Sequence, residues 1–139
     1  MVRRMSDLTV RYAGRYLEFR ETEEKWEYVV RSNAKGCVAI AAVNEENQIV
    51  LIEQHRPPVG CKVIELPAGL AGDIPLQEDE PLETAAQREL KEETGYIARN
   101  WAVLSEGPSS AGLADEVNTI FHASGLTRVN EGGGSHGED

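Results

Sequence analysis

Cysteine is scarce in this 139-residue chain: Cys37 and Cys61 are the only two, and both stand in apolar runs. Two thiols cannot build the disulfide framework of a small secreted domain, which points to a reduced, cytoplasmic protein. Long apolar runs are missing too. No stretch approaches the ~18 residues that a membrane-spanning helix requires, and residues 1–6 lack the apolar core of a signal peptide. Basic residues are outnumbered, with 14 Lys and Arg against 24 Asp and Glu and a net charge of −10. That sign excludes duplex phosphates as a partner, because counterion release needs basic side chains. No repeat divides the sequence, and residues 1–139 read as one domain, too short for an eightfold strand-and-helix barrel or for two cores. At 40% hydrophobic the chain buries roughly two thirds of its unfolded surface and needs no staples.

The acid is concentrated in one place. The segment from Glu78 to Glu93, EDEPLETAAQRELKEE, holds seven acidic and two basic side chains, half of the net charge. Its local signals are helical. Asp79 or Glu80 suits the cap, Pro81 the first turn, Ala85, Ala86 and Leu90 the interior, and Gly95 the stop. A solvated charged face is the usual fate of such a run, but helical geometry argues otherwise. At about 100° per residue, Glu92 and Glu93 fall within about 60° of Glu89, on the stripe that carries Leu82, Ala85 and Ala86 one or two turns earlier. Carboxylates on an inward-leaning stripe are costly unless a cation neutralises them. Oxygen-only donors favour a hard ion, Mg²⁺ or Mn²⁺.

The remaining chain reads as strands. Leu8–Tyr12, Tyr16–Arg20 and Trp26–Val30 are short alternating segments that predict an N-terminal antiparallel meander. Cys37–Val43 is a continuous apolar run and hence a buried strand. A turn at 44–47 leads into a returning strand over Gln48–Glu53, and Val63–Leu66, Ala102–Ser105 and Val117–Ala123 follow. With the acidic helix among them, the pattern is a mixed α/β sandwich. His55, His122 and His136 show no zinc or dyad spacing, and neither cysteine has a visible nucleophile partner.

Glu80, seven residues, then Arg88-Glu89-Leu90-Lys91-Glu92-Glu93-Thr94-Gly95-Tyr96 resembles the Nudix box, E-x7-R-E-U-x-E-E-x-G-U with U aliphatic or aromatic. The upstream half departs from the pattern. The glycine expected six residues before the first glutamate is Ile74, and either an insertion after Gly69 or a pairing of Gly72 with Glu78 accounts for it. Either Glu78 or Glu80 is thus the partner of Arg88. Flanking segments are similar to the ADP-ribose pyrophosphatase branch of that family: Ile52–Pro58 (IEQHRPP), Ile64–Gly69 (IELPAG) and Ser110–Glu116 (SAGLADE).

The resemblance implies a Nudix-type α/β/α sandwich with a mixed sheet, preceded by an N-terminal β extension (1–32) that joins two copies into a swapped homodimer. It implies Mg²⁺- or Mn²⁺-dependent hydrolysis of a nucleoside diphosphate sugar, ADP-ribose to AMP and ribose 5-phosphate, or of another nucleotide sugar such as GDP-mannose. A non-catalytic nucleotide-binding module is the competing reading. Metal ligands would be Glu89, Glu92, Glu93 and the Ala68 carbonyl, with Glu80, Arg88 and Gly95 structural. Substrate contacts would come from Trp26, Glu27, Arg31, Arg56, Ser110, Gly112 and Glu116. On composition alone Trp26 suits a core and Arg56 an ordinary surface charge. Relatives carry their base in a loop that falls near the end of this chain, where Glu138 is the candidate catalytic glutamate and Glu131 a second. They also continue through a further strand and helix, so the C-terminal part of the fold is expected to be missing here. The Gly132–Gly134 stretch reads as flexible.

Overall fold

In the computed structural model, residues 8–134 are described. The alternating N-terminal segments pair as the meander predicts. β1 (Leu8–Ala13), β2 (Leu17–Thr22) and β3 (Glu27–Arg31) form an antiparallel sheet in that order. Glu21, nearly buried on β2, takes two cations, Arg11 at 3.0 Å and Lys25 at 2.7 Å.

The apolar run becomes β4 (Gly36–Ala42), an interior strand of a mixed sheet ordered β7-β4-β9-β8. It runs parallel to β9 (Val117–Arg128) and antiparallel to β7 (Ala68–Ala71), while β8 (Tyr96–Pro108) returns antiparallel along β9. Helix α1 (Leu82–Thr94) lies across one face, and Val38, Ile40, Ala42, Phe121 and Ala123 from the strands meet Ala85, Ala86 and Leu90 in the core. Among the described residues one α-helix covers the sheet, so the second helical layer of the expected sandwich is not represented there. A separate hairpin, β5 (Ile52–Arg56) and β6 (Cys61–Glu65), turns through a 3₁₀ segment at Pro57–Val59 and Gly60, whose φ of 67° suits glycine.

Several local expectations change. The returning strand is not continuous over 48–53. Ile49 makes one bridge to Val43, and regular pairing begins at Ile52 in a different sheet. The helix is capped by Pro81 in extended geometry with no side-chain cap, because the Glu80 carboxylate is taken by Arg88 rather than by the first-turn amides. The inward stripe is rotated toward Leu90: Glu89 and Leu90 are buried, Glu93 is half-buried, and Glu92 is exposed. The Gly132–Gly134 stretch is docked. Gly133 and Gly134 donate their N–H groups to the carbonyls of Glu93 and Glu92 at 2.9 and 3.0 Å, satisfying the end of α1. Strand β7 was not foreseen, since Ala-Gly-Leu-Ala carries no β signal of its own.

Candidate active site

The C-terminal half of α1 gathers its acids around one guanidinium. Arg88 Nε and Nη2 each donate to a Glu80 carboxylate oxygen at 3.1 Å, Nη1 donates to Glu89 at 2.6 Å, and Nη2 also donates to the Leu70 carbonyl at 2.9 Å. Glu92 lies at 3.4 Å from Nη1 and Asp73 at 3.7 Å from Nη2. Glu80, not Glu78, is therefore the partner of Arg88; Glu78 instead accepts the Leu76 N–H. The Glu80 side chain is only 4% exposed. Its hydrogen bonds from Arg88 hold its pKa below the usual carboxylate range, and the same pairing raises that of Arg88.

Glu89 reaches the sheet where β7 has no side chain, for a Cβ at Gly69 would overlap the Glu89 carboxyl group. Glu93 sits between two donors from different sheets. Gln54 Nε2 of β5 donates to Oε1 at 2.8 Å, and the Ala68 N–H of β7 donates to Oε2 at 2.9 Å. Carboxylates with one backbone strand beside them make a hard-oxygen donor set, and the missing Cβ at Gly69 lets a buried carboxylate into it, so these residues fit a divalent ion. Among the described residues no three acids are already closed into an ion-binding cluster. Arg88 neutralises Glu89 and Glu92, which explains how these acids are tolerated together.

A second group forms where the loop after β8 docks on the N-terminal sheet. Val29 N–H donates to the Leu113 carbonyl at 2.8 Å, and Val29 bridges Ala114 in parallel. The loop closes on Ser110, whose carbonyl accepts the Leu113 and Ala114 N–H groups at 2.9 Å. Trp26 is 60% exposed and donates its indole N–H to the Gly112 carbonyl at 3.2 Å. It lines an open cleft of about 660 Å³ with Thr22, Glu24, Tyr28, Ala111, Ala114 and Asp115. Glu27, between Trp26 and Tyr28 on β3, is exposed. Arg31 Nε binds Glu116 at 2.8 Å.

The sequence-derived residues thus fall into two clusters: Glu80, Arg88, Glu89 and Glu92 with Glu93 and Ala68, and Trp26, Ser110 and Gly112 with Arg31 and Glu116. Arg56 forms a bidentate pair with Glu65 across the β5–β6 hairpin, 2.9 and 2.6 Å, and its charge acts on Cys37 as do those of Arg31, Glu116 and Glu89. Glu138 lies outside the described residues. Glu131 is exposed, its carbonyl accepting from Arg128. Sequence reasoning missed Gln54, Asp73 and Tyr28. Tyr28 carried a signal in its period-2 spacing from Trp26, and Gln54 lies within the Ile52–Pro58 segment noted above. The Cys37 thiol is pushed up to about 11, mainly by burial, consistent with packing rather than nucleophilic work.

Comparison with known proteins places the chain in a family. The NUDIX domain profile matches residues 33–131. The chain is 38% identical over 96 residues to the ADP-ribose pyrophosphatase of Bacillus subtilis (strain 168), a match covering 69% of this chain and 49% of that one. It is 37% identical over 99 residues to the methanol dehydrogenase activator of Bacillus methanolicus, covering 71% and 51%. The ADP-ribose pyrophosphatase of Mycobacterium tuberculosis is 37% identical over 103 residues, covering 74% and 48%. The chain therefore spans about half the length of these relatives. A solved structure described as an ADP compounds hydrolase superposes with a TM-score of 0.66 at 19% identity, covering 94% of this chain and 71% of that one, which shows a shared fold. With the box cluster around Arg88 and a profile match over most of its length, the chain belongs to the NUDIX domain family.

Proposed function

We propose that this chain hydrolyses the pyrophosphate bond of a nucleoside diphosphate sugar, with ADP-ribose the favoured substrate and AMP and ribose 5-phosphate the products. The observation that carries this reading is the arrangement at the end of α1. A buried Glu89 under Gly69 and a Glu93 held from two sides stand beside an arginine that keeps the acids from repelling one another. Relatives called ADP-ribose pyrophosphatase, at 37–38% identity, support the substrate class.

Glu89, Glu92, Glu93 and the Ala68 carbonyl would hold Mg²⁺, with Mn²⁺ as a substitute. Such an ion neutralises pyrophosphate charge and activates water. Trp26 offers a face for the base, and its indole N–H bond to Gly112 fixes the ring. Arg31 and Arg56 steady the phosphates, exchanging Glu116 and Glu65 for phosphate oxygens. A glutamate late in the sequence, Glu138 or else Glu131, accepts the proton of the attacking water. Two copies associate through the N-terminal sheet, and the free thiols of Cys37 and Cys61 suit a cytoplasmic location.

The test is AMP release across a panel of nucleoside diphosphate compounds with and without Mg²⁺. The reading expects ADP-ribose to be cleaved fastest and Glu93→Gln to lose at least about a hundredfold in kcat. Full turnover by Glu93→Gln at saturating Mg²⁺ would overturn it. ADP-ribose binding with no AMP release would instead select a nucleotide-binding module.

A further inference from the structure

We infer that Gln54 is a positioning residue for the Glu93 carboxylate, setting how that group meets a divalent cation. The inference rests on the function proposed above and adds a residue outside the box.

Gln54 occupies β5 in the two-stranded hairpin, 39 residues from Glu93. Its Nε2 donates to Glu93 Oε1 at 2.8 Å. The other oxygen, Oε2, takes the Ala68 N–H at 2.9 Å from β7 in the main sheet. A donor to each oxygen, from two separate sheets, fixes the carboxylate plane against rotation about its terminal bond. A side chain alone would leave that torsion broad. An ionised carboxylate offers about four lone-pair sites, more than these two donors use.

The chemistry of the two donors matters. These two donors are neutral amides, whereas the Arg88 guanidinium donates to Glu89 and Glu92. A cationic partner lowers a carboxylate's attraction for a second cation; an amide orients it without adding opposing charge. Groups that orient metal-binding side chains from the outside typically change metal affinity by about 10–100-fold when removed. Gln54 is half-buried, so its amide competes for Glu93 with less solvent than an exposed side chain would. A glutamine at 54 is also the right length: asparagine, one methylene shorter, would withdraw the donor beyond hydrogen-bonding reach.

The experiment measures Mn²⁺ binding by the full chain, without substrate, using the paramagnetic signal of the free ion. The proteins compared are the parent, Gln54→Leu, Gln54→Asn, Glu93→Gln and the double variant Gln54→Leu/Glu93→Gln. Thermal melts without metal establish that each is folded. The expected result is a rise of about tenfold in the Mn²⁺ Kd for Gln54→Leu and Gln54→Asn. The double variant should bind no more weakly than Glu93→Gln alone, because Gln54 acts through Glu93. In turnover the single Gln54 variants should lose kcat at saturating Mn²⁺ while KM stays within about twofold. Unchanged Mn²⁺ affinity in folded Gln54→Leu, alongside a loss in Glu93→Gln, would overturn the positioning role. So would additive losses in the double variant. Unchanged affinity in Glu93→Gln would overturn the metal assignment beneath it, which separates the two failures.

Discussion

Arg88 is where single-residue chemistry weighs most. Its guanidinium touches Glu80, Glu89, Glu92 and the Leu70 carbonyl, and removing it takes the cation away from the buried Glu80 and Glu89 carboxylates. Breaking a buried pair by deleting one partner costs about 3–5 kcal/mol. Arg88→Ala should therefore lower the melting temperature by about 10 °C or more, seen in thermal denaturation monitored by circular dichroism. Lysine is a poor substitute, since it cannot grip Glu80 through two parallel bonds. The same pairing sets an acid response. Arg88 holds the Glu80 carboxyl below its ordinary value, and Arg11 and Lys25 bring that of Glu21 down to about 2. A carboxylate depressed in the folded state stabilises above its unfolded pKa of about 4.3 and loses that contribution as the pH falls through the folded value. Through these two carboxylates stability should be flat from about pH 5 to 8 and fall between about pH 4.5 and 2. Amide protection in β1 and β2, taken relative to the intrinsic exchange rate at each pH, should fall over the lower part of that window, where Glu21 protonates. Protection that stays unchanged down to pH 2 would contradict the Glu21 pairing.

At the scale of elements, two glycines decide how α1 meets its neighbours. Gly69 on β7 makes room for the Glu89 carboxyl, and Gly95, at φ 75°, ends the helix against the Asn130 backbone. Gly69→Ala should displace Glu89 and cut turnover by about a hundredfold, while overpacking lowers stability by about 1–3 kcal/mol. Gly95→Ala should destabilise more broadly, for it combines a left-handed backbone with a clash against main chain that cannot move aside. Comparing urea midpoints with kcat separates the two: Gly69→Ala loses more function than stability, and Gly95→Ala the reverse. The helix and its stop were legible in the sequence, since Ala-rich periodicity and a glycine act within a few residues. Its cap was not. Pro81 takes that place because Glu80 is drawn to Arg88 two turns on, a side-chain competition that propensity does not encode. β7 was equally hidden, since its strand character rests on a non-local pairing with β4.

For the whole molecule, the loop carrying Ser110–Glu116 ties β3 to the mixed sheet on which α1 packs, through Val29, Trp26 and the Arg31–Glu116 pair. Trp26→Ala should raise KM for ADP-ribose by about tenfold, the worth of one stacked base, with little change in kcat. A large fall in kcat at unchanged KM would argue against a stacking role. Divalent metal at about a hundred times its Kd should stabilise the fold by about 2.7 kcal/mol, read as a rise in melting temperature that Glu93→Gln abolishes.

By itself the sequence determined most of the strands, the acidic helix and the set of carboxylates that stands at its end. Those follow from spacing, and spacing is local. Only the tertiary structure decided which acid Arg88 takes, that Glu92 faces solvent, that Gln54 holds Glu93, and that Arg31 meets Glu116 across 85 residues. Such contacts depend on strand register and on how closely a helix approaches a sheet, which are set by packing of the whole core rather than by any window of the chain.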